Sequence, residues 1–177
     1  MTGRCIAGVR RPCPPLLVQI GSVLLELSED SRILETFNAL VVPSDRNDRI
    51  CDLYPYLVEL TGIAEDRLEV EGLPSAQSPE TLNQFSQGAD LSSWGKDELF
   101  ALDMSCFQQN IAPFDCSTPV SQSEICCAQS RDVRGRHYRN QQADLSCYCG
   151  VDLRSVHEHN ALDDALSCSR AVLHRLE

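Results

Sequence analysis

Two apolar stretches near the start of the chain predict a β-hairpin. Residues 16–27, LLVQIGSVLLEL, are rich in branched aliphatic side chains, a composition typical of a buried strand. The polar residues 28–31 indicate a turn, and residues 33–42 predict a second strand with partial alternation. Because the intervening turn is short, we expect the two strands to pair antiparallel.

Helical spacing of apolar residues predicts most of the elements that follow. The predicted helices lie at residues 50–61, from Ser78 onwards, at 96–109 and at 163–176, with Gly62 ending the first of them. Further predictions are a short strand at 89–94, a polar loop at 110–135 and a short helix at 141–147. A hairpin followed by helices indicates an α/β or α+β sheet with helices packed against it.

Composition indicates a globular protein without a membrane span. The 177 residues are 42% hydrophobic and 23% charged, and the chain has no apolar run near the length of about 20 residues that crosses a bilayer. No signal-peptide pattern is recognised, so the ten cysteines are expected to be reduced thiols, most of them small buried hydrophobes. We therefore expect a cytoplasmic protein with no membrane partner.

The net charge of −11 argues against a basic surface that wraps nucleic acid without sequence preference. It leaves a nuclease open, because acidic residues can hold the divalent metals that contact phosphates. The basic residues Arg131, Arg134, Arg136, His137 and Arg139 are clustered. They are typical of either a solvated loop or a phosphate-contacting surface.

Two histidines and two aspartates surround the predicted start of the last helix, in the sequence HEHNALDDAL. His159 lies in the loop before the helix, and Asp164 lies in its first turn. A histidine on a loop can reach into a cleft while a carboxylate on a helix is held rigidly, which suits a general base beside a metal ligand. The aspartates also suit a plain helix N-terminus, where the helix dipole favours negative charge. Spacing alone leaves both interpretations open.

The stretch HNALDDALSCSRAVLHRL, residues 159–176, resembles the third motif of the DEDDh exonucleases. This ribonuclease H-like group includes polymerase proofreading subunits, RNase T and oligoribonuclease. Its third motif has a histidine, four residues and then an aspartate before an apolar helix, which corresponds to His159 and Asp164. The two strands of the predicted hairpin resemble the second and third strands of the family's sheet.

Two other motifs follow in the family's order. Thr61-Gly62-Ile63 resembles a segment beside the nucleotide pocket, and SSWGKDELF resembles the second motif of the histone-mRNA exonuclease branch. In that branch a metal-binding aspartate follows Ser-Trp-Gly, and Glu98 stands at the corresponding position with Asp97 beside it. The tryptophan of this motif, Trp94, is a candidate pocket residue or a core residue.

The resemblance implies a ribonuclease H-like mixed sheet of about five strands flanked by helices. It implies one domain over residues 1–177, with an irregular loop region at 110–140. The activity it implies is a metal-dependent 3'-5' exonuclease that releases 5'-nucleoside monophosphates from single-stranded RNA or DNA 3' ends, using two Mg²⁺ or Mn²⁺ ions. The implied roles are general base for His159, metal ligand for Asp164 and for Glu98 or Asp97, and substrate binding for Thr61, Gly62, Ile63 and Trp94.

The chain departs from the family at the first motif, an Asp-x-Glu on the first strand, because no acidic residue precedes Glu26. Oligoribonuclease-like enzymes often continue this motif with Met-Thr-Gly, as the chain begins, so one hypothesis places the catalytic pair upstream of Met1. On that hypothesis the first strand is missing or distorted, and the chain is unstable alone or oligomeric. The alternative function is a catalytically inactive exonuclease-fold module that binds nucleic acid or another partner. A cysteine-based metal or redox protein is a third class.

Overall fold

The computed structural model describes residues 2–7, 17–28, 31–45, 47–89, 91–93, 96–112 and 159–176. For residues 2–7, 92, 96–99, 171 and 174–176 this description covers the backbone only. The strands are β1 (Thr2–Ala7), β2 (Leu17–Glu26), β3 (Arg32–Val42), β4 (Leu73–Pro74) and β5 (Ser92–Ser93). The helices are α1 (Pro55–Thr61), α2 (Glu65–Glu71), α3 (Ser78–Ser86), α4 (Lys96–Gln108) and α5 (Ala161–Leu176).

The five strands form one mixed sheet in the order β4-β3-β2-β1-β5. The pairs β1–β2 and β2–β3 are antiparallel, which confirms the predicted hairpin, whereas β1–β5 and β3–β4 are parallel. The first strand is therefore not missing. The segment Thr2–Ala7 lies between β2 and β5, and the register between β1 and β2 shifts only at Ile6/Ala7. Of the two predicted alternatives, a missing strand is wrong, because Thr2–Ala7 pairs with a neighbour on each side, and the shift at Ile6/Ala7 is an irregularity within a strand that is present.

Apolar side chains pack on both faces of the sheet. One cluster joins β2 and β3 to α3 and α4 and contains Leu17, Ile20, Val41, Leu82, Phe85, Leu91 and Leu102. The other joins the same strands to α1 and α2 and contains Val18, Leu40, Leu53, Leu57, Ile63 and Leu68. Leu17 and Ile20 share a face although they are three residues apart, because the register shift interrupts the alternation at the start of β2.

Most of the predicted helices are present, with two differences. The helix α1 begins at Pro55 rather than near Ile50, which is 63% exposed and forms an isolated bridge with Ser44. Proline favours the first turn of a helix, since it has no N–H that the turn would leave unpaired. Gly62 ends α1 in the left-handed conformation, as predicted. The helix α2 was not predicted, because Leu68 is its one buried residue.

Several predictions lie outside the described residues. These are the loop from residue 113 onwards, the short helix at 141–147 and the basic cluster at 131–139. Of the cysteines with described side chains, Cys106 and Cys168 are buried, as expected of small hydrophobes. No helix in the described ranges is long and apolar enough to cross a membrane. The single-domain assignment stays a prediction.

Two buried serines provide a matched pair for testing how α4 is held to the sheet. The Ser105 hydroxyl accepts the Leu17 N–H at 3.0 Å, whereas the Ser22 hydroxyl has no hydrogen-bond partner within the described residues. Ser105→Ala is expected to lower the free energy of unfolding by about 1–3 kcal/mol, since it leaves a buried N–H unpaired. Ser22→Ala is expected to leave that free energy unchanged or to raise it. Urea titration of both variants measures the difference, and equal losses would contradict it.

Candidate active site at the start of the last helix

The start of α5 is closed by the side chain of Asn160. Its Oδ1 accepts the N–H groups of Leu162 at 3.0 Å and Asp163 at 3.3 Å, and its carbonyl oxygen accepts the Asp164 N–H at 2.9 Å. The first N–H groups of a helix have no partner within the helix, and an asparagine cap supplies one. The helix start is therefore fixed at Ala161 by local sequence.

A second contact joins this helix start to the sheet. The Ala161 N–H donates to Oε1 of Gln19 on β2 at 3.1 Å, and Nε2 of Gln19 donates to Oδ1 of Asn38 on β3 at 3.0 Å. Gln19 is 2% exposed and Ala161 is fully buried. The chain of hydrogen bonds thus extends from β3 through β2 into the first turn of α5.

The helix approaches the sheet closely at Gly21. A Cβ atom at this position would lie 2.1 Å from the Ala161 carbonyl carbon and 2.2 Å from the Leu162 nitrogen. Both are backbone atoms, which cannot move aside as a flexible side chain can. Only glycine therefore permits this approach between β2 and α5.

The two predicted catalytic residues lie at this helix start. His159 is half-buried, precedes the cap and has a φ of 67°, in the left-handed region where histidine is tolerated better than most residues. Asp164 lies in the first turn of α5 and is fully buried. The division between a histidine on a loop and an aspartate on a helix is as predicted, and the catalytic roles stay predictions.

The central strands bring the other expected motif to the same region. β1 pairs in parallel with β5 through Gly3 and Ser93, and the next β1 position, Arg4, pairs with Gly21. The chain leaves β5 at Ser93, beside the β1 position that precedes Arg4, and begins α4 at Lys96. The second-motif segment thus departs from the sheet next to the strand against which α5 packs.

The predicted residues of the second motif follow β5 in sequence. Trp94 lies outside the described residues, and Asp97 and Glu98 lie in the first turn of α4, where the description covers the backbone. Their roles as metal ligands and as a pocket residue stay predictions.

The Thr61-Gly62-Ile63 segment has a structural role at the end of α1. The Thr61 hydroxyl donates to the Leu57 carbonyl at 2.8 Å and accepts the Ile63 N–H at 3.2 Å. Ile63 is 2% exposed within the second core cluster, and the Gly62 N–H donates to the Val58 carbonyl. A substrate-binding role for this segment stays a prediction.

The residues that the structure describes do not complete a two-metal site. They include no group of three or more His, Cys, Asp or Glu side chains placed to hold a metal ion. The β1 positions in register with Gly21 and Gln19 are Arg4 and Ile6, and neither residue is a carboxylate. Asp164 is the one acidic residue buried at the start of α5, and a two-metal clamp needs several oxygen ligands. The described side chains thus supply one buried carboxylate, that of Asp164, toward the metal pair that the resemblance implies.

Three residues that organise the site were not predicted. Each had a signal in the sequence: Gly21 interrupts an apolar strand, Gln19 is a polar residue within it, and Asn160 stands directly before a helix with an acidic first turn. An isolated glycine in a strand indicates close backbone approach, and asparagine is a favoured cap. None of these signals says which element is the partner.

Comparison with known proteins relates this architecture to exonucleases. No family profile and no curated sequence matches the chain. The structure is similar to cell-death related nuclease 4, with a TM-score of 0.77 and 16% identity over 99% of this chain and 62% of that chain. It is also similar to the 3'-exonuclease that recognises the histone mRNA stem-loop, with a TM-score of 0.73 and 17% identity over 99% of this chain and 62% of that one.

A third similar structure is Escherichia coli exonuclease I in complex with a dT13 oligonucleotide. The TM-score is 0.68 at 14% identity, over 99% of this chain and 40% of that chain. The chain thus spans about 62% of the length of the first two relatives. The protein has the ribonuclease H-like fold of these exonucleases, which confirms the predicted fold class.

Proposed function

We propose that this protein is a 3'-5' exonuclease acting on the 3' ends of single-stranded RNA or DNA. The observation that carries the proposal is the position of His159 and Asp164 at the start of α5, packed over the central strands of a fold shared with 3'-exonucleases. The known relatives support the substrate class, since one is described in complex with a dT13 oligonucleotide and another recognises an RNA stem-loop.

The two residues have different access to a substrate. His159 is half-buried on the loop, so its imidazole can accept a proton from an attacking water molecule. Asp164 is fully buried in the first turn of α5, so the helix holds its carboxyl group in a fixed position. Divalent ions would supply further phosphate contacts, and the described residues provide only part of the ligand set for them.

The experiment is cleavage of a 5'-labelled single-stranded oligonucleotide in the presence of Mn²⁺. We expect stepwise shortening from the 3' end by the wild-type chain and a loss of about 100-fold or more in Asp164→Asn and His159→Gln. Asp163→Asn is the matched control, because Asp163 is the neighbouring acid in the same helical turn but is only partly buried. Equal loss in Asp163→Asn and Asp164→Asn would contradict a specific role for Asp164.

A second function is favoured by one observation, the absence of a carboxylate from all six residues of β1. A fold of this kind without its first acidic pair can bind a nucleic acid end without cleaving it. The same oligonucleotide distinguishes the two functions. Retarded migration of the labelled strand without shortening would support the binding module, and shortening would support the exonuclease.

A further inference from the structure

We infer that Gln19 is a positioning residue for the His159–Asp164 site, acting through the first turn of α5. The inference rests on the proposed function and adds to it a residue outside the third motif. Gln19 lies on β2, 140 residues before His159 in sequence, and its amide is buried between the sheet and the helix start.

The Gln19 amide is held at both ends. Oε1 accepts the Ala161 N–H at 3.1 Å, and Nε2 donates to Oδ1 of Asn38 at 3.0 Å. The Ala161 N–H fixes which end of the amide faces α5, because a backbone N–H can only donate, and the NH₂ end of Gln19 is thereby left to bond Asn38 on β3. The side chain therefore presents an oriented acceptor to the helix rather than a freely rotating one.

Of the first three N–H groups of α5, only that of Ala161 donates to a residue of the sheet. The N–H groups of Leu162 and Asp163 donate to Asn160, which belongs to the same loop and moves with the helix. The Ala161 N–H instead connects the helix to β2. It lies two residues after His159 and three before Asp164, so this bond sets the rotation of the helix start on the sheet.

Close packing at Gly21 cannot replace this contact. The approach at Gly21 limits how near α5 lies to β2, whereas a directional hydrogen bond defines how the helix is turned about its axis. Loss of the Gln19 acceptor would leave the Ala161 N–H buried and unpaired, and a small rotation that exposes it would displace both His159 and Asp164. A displacement of about 1 Å can lower a rate by about 100-fold.

The test compares Gln19→Met with Gln19→Glu in the full chain. Methionine keeps the length and removes the acceptor, while glutamate retains an acceptor for the Ala161 N–H. We expect Gln19→Met to speed amide hydrogen exchange at Ala161 by about 10-fold to 100-fold. We also expect it to lower kcat for oligonucleotide cleavage by about 10-fold to 100-fold with little change in KM. Gln19→Glu should recover most of both losses.

Ser105→Ala separates positioning from a general loss of stability. This serine lies on α4 and bonds Leu17 in the core cluster on the other face of the sheet, so the variant is destabilised without losing a hydrogen bond to α5. At a temperature where all variants are folded, kcat should fall in Gln19→Met and not in Ser105→Ala. Equal falls in kcat, or an unchanged kcat in Gln19→Met, would overturn the inference.

The His159 ring resonances keep the inference testable if the chain does not cleave. We expect Gln19→Met to shift or split these signals in the NMR spectrum, and Ser105→Ala to leave them in place. An inactive wild type with shifted signals in Gln19→Met would reject the exonuclease and retain the positioning role. Unmoved signals in that variant would reject the positioning role, whatever the activity.

Discussion

Gly21→Ala is expected to detach the start of α5 from the sheet and to lower the free energy of unfolding by about 3 kcal/mol or more. The added methyl group would lie 2.1 Å from one backbone atom of Ala161 and 2.2 Å from another. Such distances are far below van der Waals contact. Because the atoms on both sides are backbone atoms, the overlap is relieved only if α5 moves away from β2. For a chain of this size, we expect the melting temperature to fall by about 6–12 °C.

Gly62→Ala is the matched control for that variant. Gly62 has a φ of 69°, and a Cβ there would meet nothing within 4 Å. The same substitution therefore carries only the cost of a left-handed conformation, about 1 kcal/mol, which lowers the melting temperature by about 2–4 °C. The comparison separates steric contact with α5 from the general effect of replacing glycine.

Cleavage is also expected to depend on the close contact between Gly21 and the start of α5. Because His159 and Asp164 are carried by the start of α5, Gly21→Ala should lose cleavage even at temperatures where β2 and β3 remain folded, whereas Gly62→Ala serves as the control for stability alone. Circular dichroism and the labelled-oligonucleotide assay test both statements. Equal melting temperatures in the two variants would mean that α5 does not pack against β2 as closely as the structure has it.

The parts of this fold that sequence predicts are those determined by local pattern. The strands β2 and β3, the helices α3 and α4 and the last helix follow from apolar periodicity, and Gly62 ends α1 where its conformational freedom indicates. β1 was not predicted, because its six residues TGRCIA include a glycine and a charged residue and have no clear alternation. Pairing on both sides, with β2 and β5, is what makes that segment a strand.

The candidate site also contains residues that local sequence predicts and residues that it does not. His159 and Asp164 could be found from five-residue spacing and a helix start, both local in sequence. Gln19, Asn38 and Gly21 could not be assigned to the site, because their relation to Ala161 depends on how α5 packs across β2. Contacts separated by more than 120 residues are set by the fold, which a single sequence does not specify by pattern.

Arg4→Asp combined with Ile6→Glu is expected to strengthen divalent-metal binding relative to the wild-type chain. Directly paired residues of antiparallel strands share a face of the sheet. Arg4 pairs with Gly21 and Ile6 pairs with Gln19, so both β1 positions lie on the face that α5 covers. Two carboxylates there, with that of Asp164, supply oxygen ligands of the kind that Mg²⁺ and Mn²⁺ prefer.

Metal-dependent stabilisation measures this gain. A ligand present at a concentration of 100 times its dissociation constant stabilises the folded state by about 2.7 kcal/mol. At such a concentration, Mn²⁺ should raise the melting temperature of the double variant by about 5–10 °C. Arg4→Asn combined with Ile6→Gln is the matched control, with the same shapes and no charge, and should show no such rise. Removing the third carboxylate with Asp164→Asn should abolish the effect.

The same variants relate the missing acidic pair to activity. One outcome is that cleavage appears or increases together with the Mn²⁺-dependent rise in melting temperature. That result would mean that the activity of the wild-type chain is limited by the lack of metal ligands at Arg4 and Ile6, and that the rest of the site is competent. If the double variant folds and Mn²⁺ stabilises it no more than the neutral control, β1 does not occupy the position that the Asp-x-Glu strand has in the exonucleases. The sheet of this protein would then share its strand order with the sheets of the exonucleases, but the position of β1 relative to α5 would differ.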